Sequence, residues 1–96
     1  MMRLSYSPAA RRDLLSIYKQ SARQFGLAQS DRYRTGLLQA LNFLAEHPRA
    51  AAEHEGYITP FRYHPYQSHM IFYRIDGDVL RIMRVLHQQQ DWQSFL

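Results

Sequence analysis

The chain has 96 residues, and its 12 basic and 8 acidic side chains give a formal net charge of +4. This length predicts one domain, residues 1–96, because it supplies apolar surface for one modest core. The absence of cysteine excludes disulfides, thiolate chemistry and cysteine-based zinc sites. Without an apolar N-terminal region or a window as long as a membrane span, we expect a soluble cytoplasmic protein with no membrane partner.

Arginine dominates the basic residues, since Lys19 is the one lysine. The guanidinium group is weakly hydrated and forms bidentate hydrogen bonds with carboxylates and phosphates. The excess of arginine over lysine therefore favours a surface that binds acidic groups. Nucleic acid and acidic protein segments both offer such groups, and a general preference for arginine codons would give the same composition. Composition alone therefore leaves the partner open.

The N-terminal half predicts a strand followed by two helices. Met1–Tyr6 alternates apolar and polar residues, as a short strand does. Ser7 and Pro8 form a helix start, because both suit the unpaired N–H groups of a first turn. Apolar residues at helical spacing then predict a helix from about Pro8 to Phe25, ended by Gly26. The residues of this apolar stripe are Ala10, Leu14, Ile17, Tyr18, Ala22 and Phe25.

A second helix is predicted from about Ala28 to Glu46, and the short connection makes the pair an antiparallel helical hairpin. Gly36 costs about 1 kcal/mol relative to alanine inside a helix, so we interpret it as a point of close approach between the two helices. Pro48 ends the helix. Residues 49–57 are predicted to be a solvent-exposed loop.

Three strands are predicted in the C-terminal third. Pro60 confines the first of them to a sheet edge or to a start after the proline. Asp76-Gly77-Asp78 is typical of a tight hairpin turn, which needs a positive φ. The predicted elements are a strand at Ile58–His64, a turn at Pro65–Ser68, a strand at His69–Ile75, the turn at Asp76–Asp78 and a strand at Val79–His87.

Arginines and histidines of these strands are the candidate residues for binding the molecule on which the protein acts, which we call its target. Strand alternation predicts that Arg62 and His64 share a face, and that Arg81 and His87 share a face from which Arg84 points away. The predicted target-binding set is Arg62, His64, Arg74, Arg81, Arg84, His87 and Trp92.

Each candidate also has a structural interpretation. His87 would be a capped residue at a strand end, and Arg74 and Arg84 would pair with Asp76, Asp78 or Asp91. Trp92 would hold the C-terminal tail against the body. No cofactor or metal site is predicted, because His64 and His69 have no third ligand at a suitable spacing.

Residues 61–74, FRYHPYQSHMIFYR, resemble the ParE family of toxins. So do Arg84-Val85-Leu86-His87 followed by Asp91, and the opening residues 4–10 with Asp13-Leu14. The resemblance implies an α+β fold of RelE/ParE type in the order β-α-α-β-β-β. In that fold a helical hairpin packs on one face of a mainly antiparallel four-stranded sheet.

The resemblance also implies a function. A ParE-like chain would be the toxin of a type II toxin–antitoxin system, would inhibit DNA gyrase by protein–protein binding without catalysis, and would be neutralised by a ParD-like antitoxin. DNA would be contacted only indirectly, through the antitoxin. We expect antitoxin contacts at the edge of the sheet and at exposed hairpin positions, namely Leu15, Tyr18, Arg34 and Leu38.

Ribosome-dependent mRNA cleavage, as in RelE-like relatives, is the alternative. Such cleavage needs an acid or base, here His87, and a cationic clamp for the phosphorane, here Arg81 and Arg84. Tyr63, Tyr66 or Trp92 would stack on a base. The single lysine and modest net charge argue against a ribosomal partner. A third possibility is a degenerate relative kept only to bind the antitoxin.

Overall fold

The computed structural model describes residues 1–56 and 59–95, in which two helices pack on one face of a five-stranded sheet. The elements are β1 (Arg3–Tyr6), α1 (Pro8–Phe25), α2 (Leu27–Glu46), β2 (Glu53–His54), β3 (Phe61–Tyr66), β4 (His69–Asp76), β5 (Val79–His87) and a 3₁₀ helix, η1 (Trp92–Phe95). The strand order is β1-β5-β4-β3-β2, and only β1 and β5 run parallel. The predicted α+β architecture and mainly antiparallel sheet are confirmed. Neither helix of the described chain combines the length and apolar character needed to cross a membrane.

The sheet has five strands rather than the predicted four. Glu53 and His54, expected in a solvated loop, pair with Arg62 and Phe61 at the start of β3. Both residues are exposed and polar, so the sequence shows no alternation of apolar and polar residues that would predict a strand. They form a strand because their backbone pairs with β3. Tyr57 and Ile58, at the ends of the predicted loop and strand, lie outside the described residues.

β3 continues through Pro65, where a turn was predicted. The turn contains only Gln67 and Ser68, and Gln67 takes a positive φ of 50°. Proline is tolerated there because β2 reaches only Phe61 and Arg62, which leaves the rest of β3 as a sheet edge.

Both predicted helix signals at the ends of α1 are confirmed. The Ser7 hydroxyl accepts a hydrogen bond from the Ala10 N–H at 2.9 Å and donates one to the Met83 carbonyl at 2.6 Å. Gly26 ends α1 with a φ of 86°, which glycine adopts without a Cβ penalty. Phe25, predicted on the buried stripe, is instead 66% exposed at the tip of the hairpin.

Gly36 makes room for a tyrosine of the sheet rather than for the other helix. A Cβ built on Gly36 would overlap the Tyr66 hydroxyl and would lie 2.9 Å from Tyr66 Cζ. The interpretation of Gly36 as a helix–helix contact is therefore wrong. The glycine was recognisable as a close approach, but its partner lies far away in the sequence.

The main core lies between the helices and the sheet. Leu37, Leu41 and Leu44 of α2 pack with Ile71, Tyr73, Leu80 and Ile82, and all seven are fully buried. The hydroxyl of the buried Tyr73 donates a hydrogen bond to the Pro48 carbonyl at 2.8 Å. This bond satisfies the phenol and ties the end of α2 to the centre of the sheet.

A second, smaller core lies on the opposite side of the sheet, which we call the helix-free face. Its buried residues are Phe61, Phe72 and Leu86, and its half-buried neighbours are Tyr63, Met70, Met83 and Trp92. The Trp92 ring lies 5.4 Å from the Phe72 ring, so the tail folds back over this face. The structural interpretation of Trp92 is therefore confirmed.

Candidate functional site

A bulge in β5 decides which face each polar residue of this strand occupies. Tyr73 faces Ile82 whereas Phe72 faces Arg84, so Met83 is one extra residue in β5. One extra residue reverses the alternation for the rest of the strand. Arg81 therefore lies on the helix-free face and His87 on the helix-bearing face, so the prediction that they share a face is wrong. Arg84, two residues before Leu86, lies on the same helix-free face as Arg81, so the prediction that it points away from Arg81 is also wrong.

Arg62 and His64 share the helix-bearing face, as predicted. Arg62 donates from Nη1 to the Ala51 carbonyl at 2.6 Å. The His64 ring lies 5.7 Å from the Phe43 ring of α2, and burial lowers its pKa below the ordinary 6.5. These contacts hold α2 and the loop after it against β3.

Arg74, Arg81 and Trp92 lie together on the helix-free face. Arg74 and Arg81 are register partners on β4 and β5. Arg74 pairs with Asp76 at 2.8 Å, which confirms one predicted pairing, and Arg81 donates to the Ser5 hydroxyl at 2.9 Å. Of the predicted target-binding residues, these three and Arg84 lie on the helix-free face.

Arg84 lies at the edge of the sheet and is bound by a residue to which the sequence assigned no role in a site. Asp13 of α1 accepts two hydrogen bonds from the guanidinium, at 2.8 and 2.9 Å, and a third from the Val85 N–H at 3.0 Å. The bonded carboxylate raises the pKa of Arg84 above its ordinary value. Asp13 thus occupies the edge of β5 beyond the end of β1, and the predicted acidic partners of Arg84 were wrong.

The position of Asp13 held a signal. It follows Ala10 by three residues and precedes Ile17 by four, which places a carboxylate on the buried stripe of α1. A carboxylate on a buried face needs a charged or N–H partner. The sequence could not predict which residue is that partner, because Arg84 is 71 residues away along the chain.

His87 lines a groove of about 730 Å³ between the helices and one end of the sheet. Its ring lies 5.4 Å from that of His69, edge to face. Tyr33 shares a hydrogen bond with Nδ1 of His69, and burial raises the pKa of Tyr33 to about 12. Nδ1 of His87 accepts from the Gln89 N–H at 3.1 Å, which confirms that His87 is a capped residue at the strand end.

The lining of this groove limits its chemistry. Its described lining residues include Asp13, three serines, five glutamines and the two histidines, but no arginine or lysine. A phosphorane needs cationic stabilisation, and the guanidinium nearest to this lining, that of Arg84, is already paired with Asp13. In the described parts of the chain, no group of three His, Asp or Glu side chains is placed to hold a metal ion.

We expect stability to fall as the pH drops below about 6.5, in part through His69. Burial, and secondarily the charge of His87, lower the pKa of His69 in the folded protein. The unfolded chain then binds more protons between the two pKa values, so acid favours unfolding. We would measure the free energy of unfolding by urea at several pH values between about 7.5 and about 5.5. As the pH falls, this free energy should decrease less steeply for His69→Gln than for the wild type. His47→Gln, at an exposed position, is the control, and equal slopes for all three proteins would contradict this role of His69.

The four residues predicted to contact an antitoxin lie on the outer surface of the helical hairpin. Leu15 is 54% exposed and Leu38 is 41% exposed. The Arg34 guanidinium lies 5.8 Å from the centre of the Tyr18 ring and joins the two helices on this side. This part of the hairpin surface therefore carries two exposed leucines and one cation.

The chain is similar to curated toxins over most of its length. It is 32% identical over 90 residues to "Toxin ParE1" of Caulobacter vibrioides, covering 94% of this chain and 93% of that protein. It is 31% identical to "Toxin ParE1" of Mycobacterium tuberculosis, over 88% of both chains.

Solved structures with the same fold include a chain of the "Chromosomal ParDE TA system from P. aeruginosa", with a TM-score of 0.76, 18% identity and coverage of 91% of this chain and 96% of that one. YafQ from E. coli strain BL21(DE3) is more distant, with a TM-score of 0.56, 16% identity and coverage of 92% and 94%. Residues 4–92 match the family model described as "ParE toxin of type II toxin-antitoxin system, parDE". The chain therefore belongs to the ParE family of toxins of type II toxin–antitoxin systems.

Proposed function

We propose that this toxin inhibits DNA gyrase by binding it, without catalysis of its own. The observation that carries the proposal is the composition of the groove that contains His87. Its described lining has no arginine or lysine to stabilise a phosphorane. Arg81 lies on the other face of the sheet, and Arg84 is held by Asp13. The residues that RNA cleavage would require are therefore dispersed, whereas a binding surface makes no such demand.

We further propose that a ParD-like antitoxin neutralises the toxin by docking on the outer surface of the hairpin. Leu15 and Leu38 offer exposed apolar contacts, and Arg34 offers a cation beside Tyr18. An amphipathic segment with acidic residues that folds on binding would match this surface. DNA would then be reached through the antitoxin, and the toxin would act in the cytoplasm, where gyrase works.

A supercoiling assay with purified gyrase tests the proposal. The toxin should block the introduction of supercoils into relaxed plasmid and trap cleaved DNA, and pre-incubation with the antitoxin should restore supercoiling. Leu15→Asp combined with Leu38→Asp should still inhibit gyrase but should resist the antitoxin, because charge is placed in an apolar contact. Full gyrase activity at a large molar excess of wild-type toxin would refute the proposed target.

The pairing of His69 with His87 favours mRNA cleavage as a second candidate function. Two imidazoles 5.4 Å apart in one groove resemble a general acid and base, and Tyr33 lies beside them. In that case translating ribosomes would show toxin-dependent cuts in mRNA, and His87→Gln would abolish them while the protein still bound the antitoxin. Intact mRNA with the wild-type toxin would exclude this function.

A further inference from the structure

Two arginines lie directly opposite each other on the helix-free face. Arg74 and Arg81 are register partners on the adjacent strands β4 and β5. Leu80 and Ile82, on either side of Arg81, point into the helix-side core, so Arg81 points the other way. Like charges in directly opposite positions destabilise a sheet. The pair therefore opposes folding, which calls for a functional explanation.

The protein neutralises this pair only in part. Arg74 has Asp76 as an ion-pair partner at 2.8 Å. Asp78 lies 3.7 Å from Arg3, and both of these side chains are largely exposed. Within residues 1–56 and 59–95, Arg81 has no carboxylate at ion-pair distance and contacts the uncharged hydroxyl of Ser5. A carboxylate supplied by a partner would complete the site.

Aromatic side chains extend the same surface. Phe72 precedes Arg74 by two residues on β4 and so shares its face. Trp92 packs on Phe72, and Phe95 is 45% exposed with the Arg84 guanidinium 4.9 Å from its ring centre. Tryptophan and arginine are enriched among the residues that dominate the binding energy of protein interfaces.

We propose that the helix-free face around Arg74 and Arg81 is the surface that binds an acidic patch of gyrase, an assignment that rests on the proposed function. A protein fits this surface better than a nucleic acid does. Asp76 pairs with Arg74, and Asp78 pairs with Arg3 on the neighbouring strand, so carboxylates interrupt the cationic surface where a continuous phosphate backbone would run. The net charge of +4 is also small for a nucleic-acid partner.

Arg81→Gln tests the assignment, because glutamine can still bond Ser5 while the repulsion with Arg74 is removed. The toxin concentration that halves supercoiling should rise about tenfold or more, as for an interface hot spot. The free energy of unfolding should stay the same or increase, and antitoxin binding should be retained. Arg12→Gln, at an exposed position on α1, removes the same charge from the helix-bearing side and should inhibit gyrase like the wild type.

The possible results separate the two proposals. Unchanged inhibition by Arg81→Gln, beside an active wild type, overturns the assignment of the helix-free face and leaves the gyrase target standing. An effect of Arg81→Gln on binding to a labelled DNA duplex, with binding to DNA-free gyrase unchanged, overturns the acidic-protein partner in favour of nucleic acid. A wild-type toxin without effect on gyrase overturns the proposed function, and this assignment with it.

Discussion

Replacing Asp13 with alanine is expected to lower the free energy of unfolding by about 3 kcal/mol, the range found when one partner of a buried ion pair is removed. The Asp13 side chain is 14% exposed and that of Arg84 is 21% exposed, so water reaches the pair poorly. The substitution removes both hydrogen bonds to the guanidinium and the bond to the Val85 N–H. Urea unfolding followed by circular dichroism measures the loss.

Asp31→Ala is the matched control for this prediction. Asp31 lies exposed in α2, so removal of its carboxylate should change the unfolding free energy by about 0.5 kcal/mol or less. Arg84→Gln should weaken the loss caused by Asp13→Ala in a double-mutant cycle, because the uncompensated charge is gone. A loss for Asp13→Ala as small as that of the control would show that the ion pair adds nothing to the fold.

Gly36→Ala is expected to destabilise the protein by about 1–3 kcal/mol, the usual cost of overpacking. Helix propensity alone predicts the opposite sign, since alanine is favoured over glycine by about 1 kcal/mol in a helix interior. The new methyl group would overlap the Tyr66 hydroxyl, and the Tyr66 ring is held edge to face against Tyr33 at 5.2 Å. Thermal and urea unfolding would both report the effect.

Combining Gly36→Ala with Tyr66→Phe tests whether the contact with Tyr66 causes the loss of stability. Tyr66→Phe removes the hydroxyl that the methyl group would overlap but keeps the ring carbon Cζ at 2.9 Å, so the double variant should recover part of the lost stability. Thr35→Ala, at the exposed neighbouring position of α2, controls for helix propensity and should be neutral or slightly stabilising. A more stable Gly36→Ala protein would mean that Tyr66 moves aside freely.

Short-range sequence signals, such as helix caps and turn residues, predict the secondary-structure elements of this fold. Ser7 and Pro8 start α1, Gly26 ends it with a positive φ, and Gly77 turns the last hairpin with a φ of 59°. These signals act within a few residues, so they are readable without knowledge of the fold. The two helices, the three long strands and the helical hairpin were predictable for this reason.

The placement of the candidate sites depended on long-range contacts. The extra residue Met83 leaves no mark in the sequence, yet it reverses the faces of Arg84 and His87 relative to Arg81. Hydrophobic alternation reports a face only while the ladder is regular, so one bulge makes the prediction fail beyond it.

Residue types and their local order determined which elements form, the toxin family, and the supply of arginine, histidine and aromatic side chains. Tertiary structure decided which of them meet: Asp13 with Arg84, Gly36 with Tyr66, and Arg74 with Arg81. The physical reason is distance along the chain. Capping and turn preferences act between near neighbours, whereas ion pairs, close packing and strand register depend on residues that only folding brings together.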